Sequence, residues 1–349
     1  MLPSFRSAGS RVLLARAYSA TPQTVRHPGV GEADNSSYDK SFQGKVQVSK
    51  LDNGLTVASI DARGPLASVG LFIGAGTRQE NSTTAGASQY LARLATLSTP
   101  NRTRVRLIHD IENTHDFGVH RGRESTTISA KVLRNEVAGA AELLLDVARP
   151  NVFEYEIREV SEAVKADTQK AFNDSFAAID DALHAVAFRN VGLGRPLYSP
   201  HLDVSQESVV RYLHSNWKPQ RSVLTAVNVD HQELLDIVTK AASFQNVVEG
   251  YEEEVINLPT KYSGGEDVRL TGGDTYIAVG FEGVGVKGGS VAAQQVLARL
   301  LQTKVVNAML NNGTISNGYA KSSEYSDAGL LSVFLRANRQ DGLAAIDGL

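Results

Sequence analysis

Hydrophobic and polar residues alternate near residue 46, where the folded part of the chain is predicted to begin. Val46, Val48 and Leu51 are separated by polar residues, and after Asp52-Asn53-Gly54 the alternation resumes over residues 55–58. Alternation is typical of a strand with one buried face, and Asn-Gly supplies the positive φ values that a two-residue turn needs. The pattern predicts a β-hairpin.

A three-and-four spacing of apolar residues replaces the alternation after a glycine-rich loop at residues 74–80. The apolar residues recur along one face of a predicted helix over residues 84–94, and they are Ala87, Tyr90, Leu91, Leu94 and Leu97. This spacing predicts a half-buried amphipathic helix. A strand at residues 67–73 precedes it, and a strand at 125–132 and a helix at 135–147 follow.

The order strand, helix, strand occurs twice in the chain. Separations of 208, 204 and 204 residues relate positions 67, 86 and 125 to positions 275, 290 and 329. Three matching separations indicate a duplicated unit of about 205 residues, which is far longer than a solenoid repeat. We therefore expect an α/β (α+β) fold of two homologous domains, each a mixed, largely antiparallel sheet flanked by helices.

The second domain is expected to be incomplete, because residue 349 corresponds to residue 145 of the first unit. Counterparts of predicted helices near 155–189 and 205–216, and of a strand at 222–229, are missing. Either the sequence is truncated, or the domain is naturally short and exposes an apolar surface that needs a partner.

The expected domain boundaries follow composition. Arg6, Arg11 and Arg16 precede the first acidic residue, Glu32, which is typical of a mitochondrial transit peptide, and we predict cleavage between Tyr18 and Ser19. An acidic run, a proline and two glycines mark a linker. The expected segments are a transit peptide at 1–18, a flexible lead-in at 19–43, an N-terminal domain at 44–248, a linker at 249–265 and a partial C-terminal domain at 266–349.

The composition excludes several classes of site. A net charge of −3 provides no basic field for nucleic acid. The absence of cysteine excludes disulfides, thiolate nucleophiles and cysteine-ligated metals. No apolar run approaches the roughly 20 residues of a membrane-spanning helix, so contact with a membrane is expected only at its surface or through partner subunits.

Three segments resemble the start of the pitrilysin-like metallopeptidase family. They are Leu51-Asp-Asn-Gly-Leu-Thr-Val57, Val69-Gly-Leu-Phe-Ile-Gly-Ala-Gly-Thr-Arg-Gln-Glu80 and Gly86 to Leu94. In active members this helix carries His-x-x-Glu-His, which binds zinc through two imidazoles and activates water through the Glu. The resemblance places those three positions on Gln89, Ala92 and Arg93, and the distal carboxylate ligand near Asp167.

None of the three helix residues can perform the original role. Gln is a poor zinc ligand, Ala offers no base, and a protonated Arg repels a dication. Asp167 is expected to be a solvated helix residue or a partner for Arg93. The resemblance therefore implies no peptidase activity, no metal and no cofactor.

The likeness is greatest to non-peptidase members that act as core subunits of the mitochondrial complex that oxidises ubiquinol and reduces cytochrome c. It implies a structural subunit on the matrix side of the inner membrane, in a dimeric hetero-oligomeric complex with core protein 1 and the redox subunits. Two alternatives remain open: the non-catalytic alpha subunit of the mitochondrial processing peptidase, and a presequence-binding module. The glycine-rich substrate loop of that alpha subunit would correspond to residues 310–329, which contain only Gly313, Gly318 and Gly329.

Two further patterns resemble binding sites. Gly283-Val-Gly-Val-Lys-Gly288 satisfies the dinucleotide fingerprint, but no acidic residue occurs between Glu282 and Glu324 to bind a ribose. We expect an ordinary loop equivalent to residues 74–76. His109, His115 and His120 have spacings that fit no helical face, and we expect surface histidines in an irregular connection.

Overall fold

The structure is a computed structural model that describes residues 44–200, 203–241, 259–269 and 272–348. The transit peptide expected at residues 1–18, its cleavage between Tyr18 and Ser19, and the lead-in at 19–43 lie outside these ranges. The acidic part of the expected linker, residues 252–254, also lies outside the described ranges.

Residues 47–240 form a mixed sheet with helices. The strands are β1 Gln47–Lys50, β2 Thr56–Ile60, β3 Leu66–Ile73, β4 Asp116–Arg121, β5 Thr126–Leu133 and β6 Ser222–Val227. The helices are α1 Ala87–Leu94, α2 Arg104–Glu112, α3 Val137–Val147, α4 Glu154–Asn173, α5 Ser175–Ala187, α6 Gln206–Asn216 and α7 His231–Lys240. The strand order is β1-β2-β6-β3-β5-β4, in which only the β2–β6 pair is parallel.

Residues 275–347 form a smaller, antiparallel sheet. Its strands are β7 Thr275–Gly283, β8 Asn317–Glu324 and β9 Gly329–Ala337, in the order β7-β9-β8. Its helices are α8 Val291–Leu301, α9 Asn307–Asn311 and α10 Gly342–Asp347, and the π-helical stretch Gln302–Val306 joins α8 to α9. None of the helices in the described ranges combines the length and apolar character that crossing a membrane requires.

The hairpin of β1 and β2 is present, but its turn differs from the two-residue turn expected. The backbone N–H of Leu51 donates to the carbonyl oxygen of Leu55 at 2.9 Å, so three residues form the loop. Only Gly54 has a positive φ there, at +89°. Asn53 contributes its side chain instead, which accepts a hydrogen bond from the N–H of Leu55 at 3.0 Å. This is the three-residue hairpin loop with glycine at its left-handed position.

The pairing of the strands confirms that the fold contains two related units. The order β3-β5-β4 in the first sheet matches β7-β9-β8 in the second. Gly70 pairs with Ser129, and Gly280 pairs with Ser332. Separations of 210 residues between the glycines and 203 between the serines agree with the duplication seen in the sequence.

The two units differ in how their helices are covered. The sequence Leu-Ala-Arg-Leu occurs in α1 at residues 91–94 and in α8 at 297–300. Leu91 and Leu94 are fully buried, because α4 and α6 pack against α1. Leu297 and Leu300 are 48% and 49% exposed. Among the described residues, the second unit has no counterpart of these covering helices.

Helix α5 of the first unit covers one face of the second sheet. Phe176 contacts the rings of Tyr276 and Tyr319, with centroids 5.5 and 5.4 Å apart. Leu183 packs over Gly280, where an added Cβ would lie 2.9 Å from a methyl carbon of Leu183. The glycine in β7 therefore permits the close approach of helix and sheet.

A cluster of charged and hydroxyl groups, centred on the nearly buried side chain of Arg78, joins the two units beside α5. Its guanidinium donates two hydrogen bonds to the Asp327 carboxylate, at 2.7 and 2.6 Å, and forms an ion pair with Glu124. Ser326 donates its backbone N–H and hydroxyl to Glu124, at 2.8 and 2.7 Å. Asp327 also accepts a hydrogen bond from the N–H of Thr260 at 3.0 Å.

We expect alanine substitutions in the two equivalent leucine pairs to have unequal effects. Leu91→Ala and Leu94→Ala create cavities in a packed core and should each lower the free energy of unfolding by about 2–5 kcal/mol. Leu297→Ala and Leu300→Ala should each cost about 0.5 kcal/mol or little more, because these side chains are half exposed. Urea denaturation followed by circular dichroism compares the pairs, and equal losses would contradict the difference in burial.

The Arg78–Asp327 contact predicts a specific pH dependence. The Arg78 guanidinium lowers the pKa of Asp327 to about 2, against the opposing effect of burial. A lowered pKa stabilises the fold above the unfolded value near 3.8, and this stabilisation is lost as the pH falls toward 2. The stability difference between the wild type and Asp327→Asn, on the order of 1 kcal/mol at pH 6, should shrink over that window.

The control for this experiment is Asp347→Asn, which removes an exposed carboxylate at the end of α10. Its stability difference from the wild type should be small at both ends of the pH range. A difference for Asp327→Asn that grows as the pH falls would refute the assignment.

Candidate functional site

The residues before α1 fix the direction in which this helix starts. Gly86 has a φ of +83° and precedes the first helical residue. The Glu80 carboxylate accepts hydrogen bonds from the N–H groups of Gly86 and Ser88, each at 3.0 Å, and from the Ser88 hydroxyl at 2.6 Å. A carboxylate bonded to free N–H groups at a helix N-terminus stabilises the helix. Glu80 therefore holds α1 in place.

Glu80 lies in a buried polar cluster that sequence reasoning did not identify. Burial raises the pKa of Glu80, against the lowering effect of its hydrogen bonds. Burial lowers the pKa of Arg121, and the negative charge of Glu80 opposes this change. Arg121 donates to the carbonyl oxygen of Leu197 and lies 5.4 Å from the ring centroid of Tyr198. Glu80 and Arg121 come together only in the folded chain, so no local sequence pattern predicts the cluster.

A neighbouring arginine organises the Leu193-Gly-Arg-Pro-Leu197 loop. Arg123 donates to the carbonyl oxygens of Leu193 and Arg195, at 3.2 and 2.5 Å, and forms an ion pair with Asp181 of α5. The N–H of Leu197 donates to the same Asp181 carboxylate at 3.1 Å. The loop is thus fixed to β4, the following turn and α5.

Gln89 is buried where α1 crosses α4, and both ends of its side-chain amide are engaged. The nitrogen donates to the Thr168 hydroxyl at 3.0 Å and to the carbonyl oxygen of Val164 at 3.4 Å. The oxygen accepts a hydrogen bond from the N–H of Ser199 at 3.3 Å. The amide connects three elements of structure and has no group directed at an open site.

Arg93 and Asp167 form the ion pair that the sequence suggested. Nε of Arg93 donates to the Asp167 carboxylate at 3.0 Å, and the terminal nitrogen forms a second contact with the same oxygen. The Arg93 and Asp167 side chains are 48% and 33% exposed, so water screens the pair. Ala92 lies beside them, half-buried and without a polar side chain. Helices α1 and α4 are therefore bridged by a guanidinium and a carboxylate.

The chemistry of this region is that of a polar contact between helices. Across the described ranges, no group of three or more His, Cys, Asp or Glu side chains is placed to hold a metal ion. Arg93 would have to leave before a dication could bind Asp167, because like charges repel. The structure brings Gln89, Arg93 and Asp167 to one crossing of α1 and α4.

The three histidines are exposed, as expected, but only His115 lies in an irregular connection. His109 is on α2, His115 immediately precedes β4, and His120 is on β4. β4 was missed although Phe117 and Val119 alternate along it, because glycine, histidine and two charged residues make up the rest of this short edge strand. His109 contacts Asp110 and Asn113, its neighbours on the chain.

The Gly283–Gly288 segment is an ordinary loop, as expected. It makes the same backbone contact as its counterpart in the first unit. There, the N–H groups of Thr77 and Arg78 donate to carbonyl oxygens in the turn between β4 and β5. In the second unit, the N–H groups of Val286 and Lys287 donate to carbonyl oxygens in the turn between β8 and β9. A Cβ at Gly285 would lie 2.5 Å from the backbone carbonyl carbon of Asp327, so glycine permits this close contact. β7 is antiparallel to its neighbour β9, whereas a dinucleotide fold requires a parallel strand crossover.

Comparison with known sequences places these features in a family. The profile of insulinase (peptidase family M16) matches residues 56–201, and that of the peptidase M16 inactive domain matches residues 203–347. The chain belongs to peptidase family M16. Membership agrees with the two related units of the fold and with the resemblance found in the glycine-rich strand and α1.

The M16 relatives include both respiratory and processing subunits. Mitochondrial-processing peptidase subunit alpha-2 of Dictyostelium discoideum is 30% identical, over 68% of this chain and 54% of its own length. Cytochrome b-c1 complex subunit 1 of Bos taurus is 29% identical, over 80% of this chain and 59% of its own length. The chain spans about half the length of such relatives. Their names support a mitochondrial location.

A solved structure with low sequence identity shares the fold. The crystal structure of a protease from Helicobacter pylori superimposes with a TM-score of 0.75, covering 87% of this chain and 79% of that chain. The identity is 15%, so this likeness concerns the fold alone. It supports the arrangement of a mixed sheet and an antiparallel sheet, each flanked by helices.

Gln89 and Arg93 should contribute unequally to stability. Gln89→Ala leaves the Thr168 hydroxyl and the N–H of Ser199 without this partner in a buried position, which should cost about 1–3 kcal/mol. Arg93→Ala breaks an exposed ion pair and should cost about 1 kcal/mol or less. Urea denaturation measures both, with Arg104→Ala as a control for loss of another exposed ion pair between helices. A larger loss for Arg93→Ala would reverse this assignment.

Proposed function

We propose that this chain is a non-catalytic core subunit, of the core protein 2 type, of the mitochondrial complex that oxidises ubiquinol and reduces cytochrome c. It pairs with a core protein 1 homologue on the matrix side of the inner membrane. It contacts the membrane through partner subunits and supports assembly of the complex. Electron transfer takes place in other subunits.

One observation carries the non-catalytic part of this proposal: the contacts of the residues at the three family positions. Gln89 is committed to buried hydrogen bonds, Arg93 is paired with Asp167, and Ala92 has no functional group. By the family resemblance, Arg93 takes the position of the second zinc-binding histidine of active members. The match to the inactive-domain profile over residues 203–347 supports the same reading.

The respiratory role is supported by relatives named as subunits of the cytochrome b-c1 complex, which are 29–30% identical. The alternative role, as the non-catalytic alpha subunit of the mitochondrial processing peptidase, has relatives of similar identity. We favour the respiratory role because β8 occupies residues 317–324, where the sequence comparison placed the glycine-rich substrate loop. Short turns flank the strand.

The proposed organisation retains the transit peptide at residues 1–18, cleaved between Tyr18 and Ser19, and the lead-in at 19–43. The N-terminal domain spans 44–248, the linker 249–265 and the C-terminal domain begins at 266. In support, two residues in the second half of the linker contact both units. The N–H of Thr260 donates to the Asp327 carboxylate, and the N–H of Ser263 donates to the carbonyl oxygen of Ala187. N-terminal sequencing of the protein isolated from mitochondria tests the cleavage site.

The degenerate zinc site makes a prediction about metal content. The wild-type chain should retain no stoichiometric zinc after gel filtration. The triple variant Gln89→His, Ala92→Glu, Arg93→His should bind about one zinc per chain, because it supplies two imidazoles on one helical face and leaves Asp167 available. Elemental analysis measures the zinc content, and adding Asp167→Ala to the triple variant should abolish binding. Stoichiometric zinc in the wild type would overturn the proposal.

Co-purification separates the two roles. Detergent-solubilised mitochondrial membranes, resolved by native electrophoresis and analysed by mass spectrometry, should show this chain migrating with cytochrome subunits and a core protein 1 homologue. A soluble heterodimer that contains zinc and cleaves presequence peptides would instead support the processing-peptidase role. Retention of an intact presequence peptide by the isolated chain would support the presequence-binding alternative.

A further inference from the structure

Helix α8 presents apolar side chains to solvent along one side. Ala293, Val296, Leu297 and Leu300 follow a three-and-four spacing, and all four are exposed. Val296 is 63% exposed, and the two leucines are about half exposed. Residues at this spacing are neighbours on the surface of one helix, so the four side chains form an apolar strip, the α8 face. Exposed apolar surface of this kind indicates an interaction site.

The opposite side of α8 is occupied by its own sheet. Gln294 and Ala298, one turn apart, are buried. The side-chain oxygen of Gln294 accepts a hydrogen bond from the N–H of Val284, and its nitrogen donates to the Ser322 hydroxyl at 2.8 Å. These contacts fix the helix on the sheet. The α8 face therefore points away from β7, β8 and β9 and is open to a further element of structure.

The first unit shows what covers the equivalent helix. Helix α4 packs against α1 and buries Ile157, Val160 and Val164, which follow a three-and-four spacing. Beside this apolar contact, Asp167 of α4 forms its ion pair with Arg93 of α1. The covering element is thus an amphipathic helix that carries a carboxylate. Among the described residues, no helix takes this place on α8.

The charges around the α8 face are all positive. Arg299 and Lys304 are the only charged residues in the sequence from 291 to 311, and both are exposed. Arg299 lies one turn after Val296, and Lys304 one turn after Leu300. The ion pairs found among the described residues use neither cation. A partner that supplies carboxylates on both sides of an apolar strip would therefore be complementary to this face.

We propose that the α8 face binds an amphipathic, acidic helix of a partner polypeptide, which packs on α8 as α4 packs on α1. Apolar side chains of the partner helix cover Val296, Leu297 and Leu300, and its carboxylates pair with Arg299 and Lys304. Apolar burial provides the affinity, and the charges select an acidic helix over a basic one. This docking site is independent of the respiratory role, because it follows from the two equivalent helices and their contacts.

The first test uses the full chain and two fluorescein-labelled helical peptides of about 18 residues, or five turns. Each carries Leu at three-and-four spacing on one side, flanked by Glu in one peptide and by Lys in the other. Fluorescence anisotropy should detect binding of the Glu peptide, with the Lys peptide bound roughly tenfold more weakly. Equal affinity for the two peptides would overturn the proposal.

Variants of the full chain locate the bound peptide. The double variant Leu297→Ser, Leu300→Ser should weaken binding of the Glu peptide by roughly tenfold, and Arg299→Ala by a similar factor. Leu343→Ser on α10 and Arg339→Ala, which change an exposed leucine and an exposed arginine elsewhere in the second unit, should leave binding unchanged. Circular dichroism verifies that each variant is folded. Equal losses in the control variants would contradict the assignment to α8.

Crosslinking in mitochondria tests whether the occupant is a partner. A photocrosslinking amino acid in place of Val296 should form a crosslink that mass spectrometry maps to an acidic, amphipathic segment of another polypeptide. A crosslink to a second copy of this chain, or to another segment of the same chain, would overturn the proposal. The absence of any crosslink would also count against it.

Discussion

A nearly buried guanidinium, that of Arg78, joins the two units beside α5. Arg78 binds Glu124 in the turn between β4 and β5, and Asp327 in the turn between β8 and β9. These turns are equivalent in the two units. Residues 124 and 327 are separated by 203 residues, as are Ser129 of β5 and Ser332 of β9, which occupy equivalent positions in the two sheets. One arginine thus contacts corresponding turns of both sheets.

In both units, the glycine-containing loop before the first helix contacts the turn between the last two strands. Only in the first unit does a charged side chain of that loop, Arg78, form ion pairs at this contact. An L side chain fits at neither Gly76 nor Gly285, since its Cβ would lie 2.5 Å from backbone atoms of the facing turn. The side chain of Arg78 enters the junction, whereas its counterpart Lys287 is exposed. The duplication therefore preserved the backbone contact and became asymmetric in the side chains.

The sequence predicted the elements whose signal is local. The hairpin, α1, α3 and the repeated strands all carry an apolar period or a turn signature. The pairing of Arg93 with Asp167 was one of the two expectations for Asp167, because the family resemblance brings those positions together. By contrast, β4 and the buried cluster of Glu80 and Arg121 were missed. β4 has only two apolar residues, Phe117 and Val119, and the cluster of Glu80 and Arg121 is polar, so neither gives a strong local signal.

The contacts of α5 have a consequence for the order of folding. His184 lies 2.8 Å from the Tyr325 hydroxyl, across a sequence separation of 141 residues. Whether the chain emerges from a ribosome or from an import channel, α5 emerges before its partner sheet, because 141 residues separate His184 from Tyr325. During that interval Phe176 and Leu183 have no sheet to cover them. A chaperone that shields an amphipathic helix would act at this stage, well before the Arg78 junction can close.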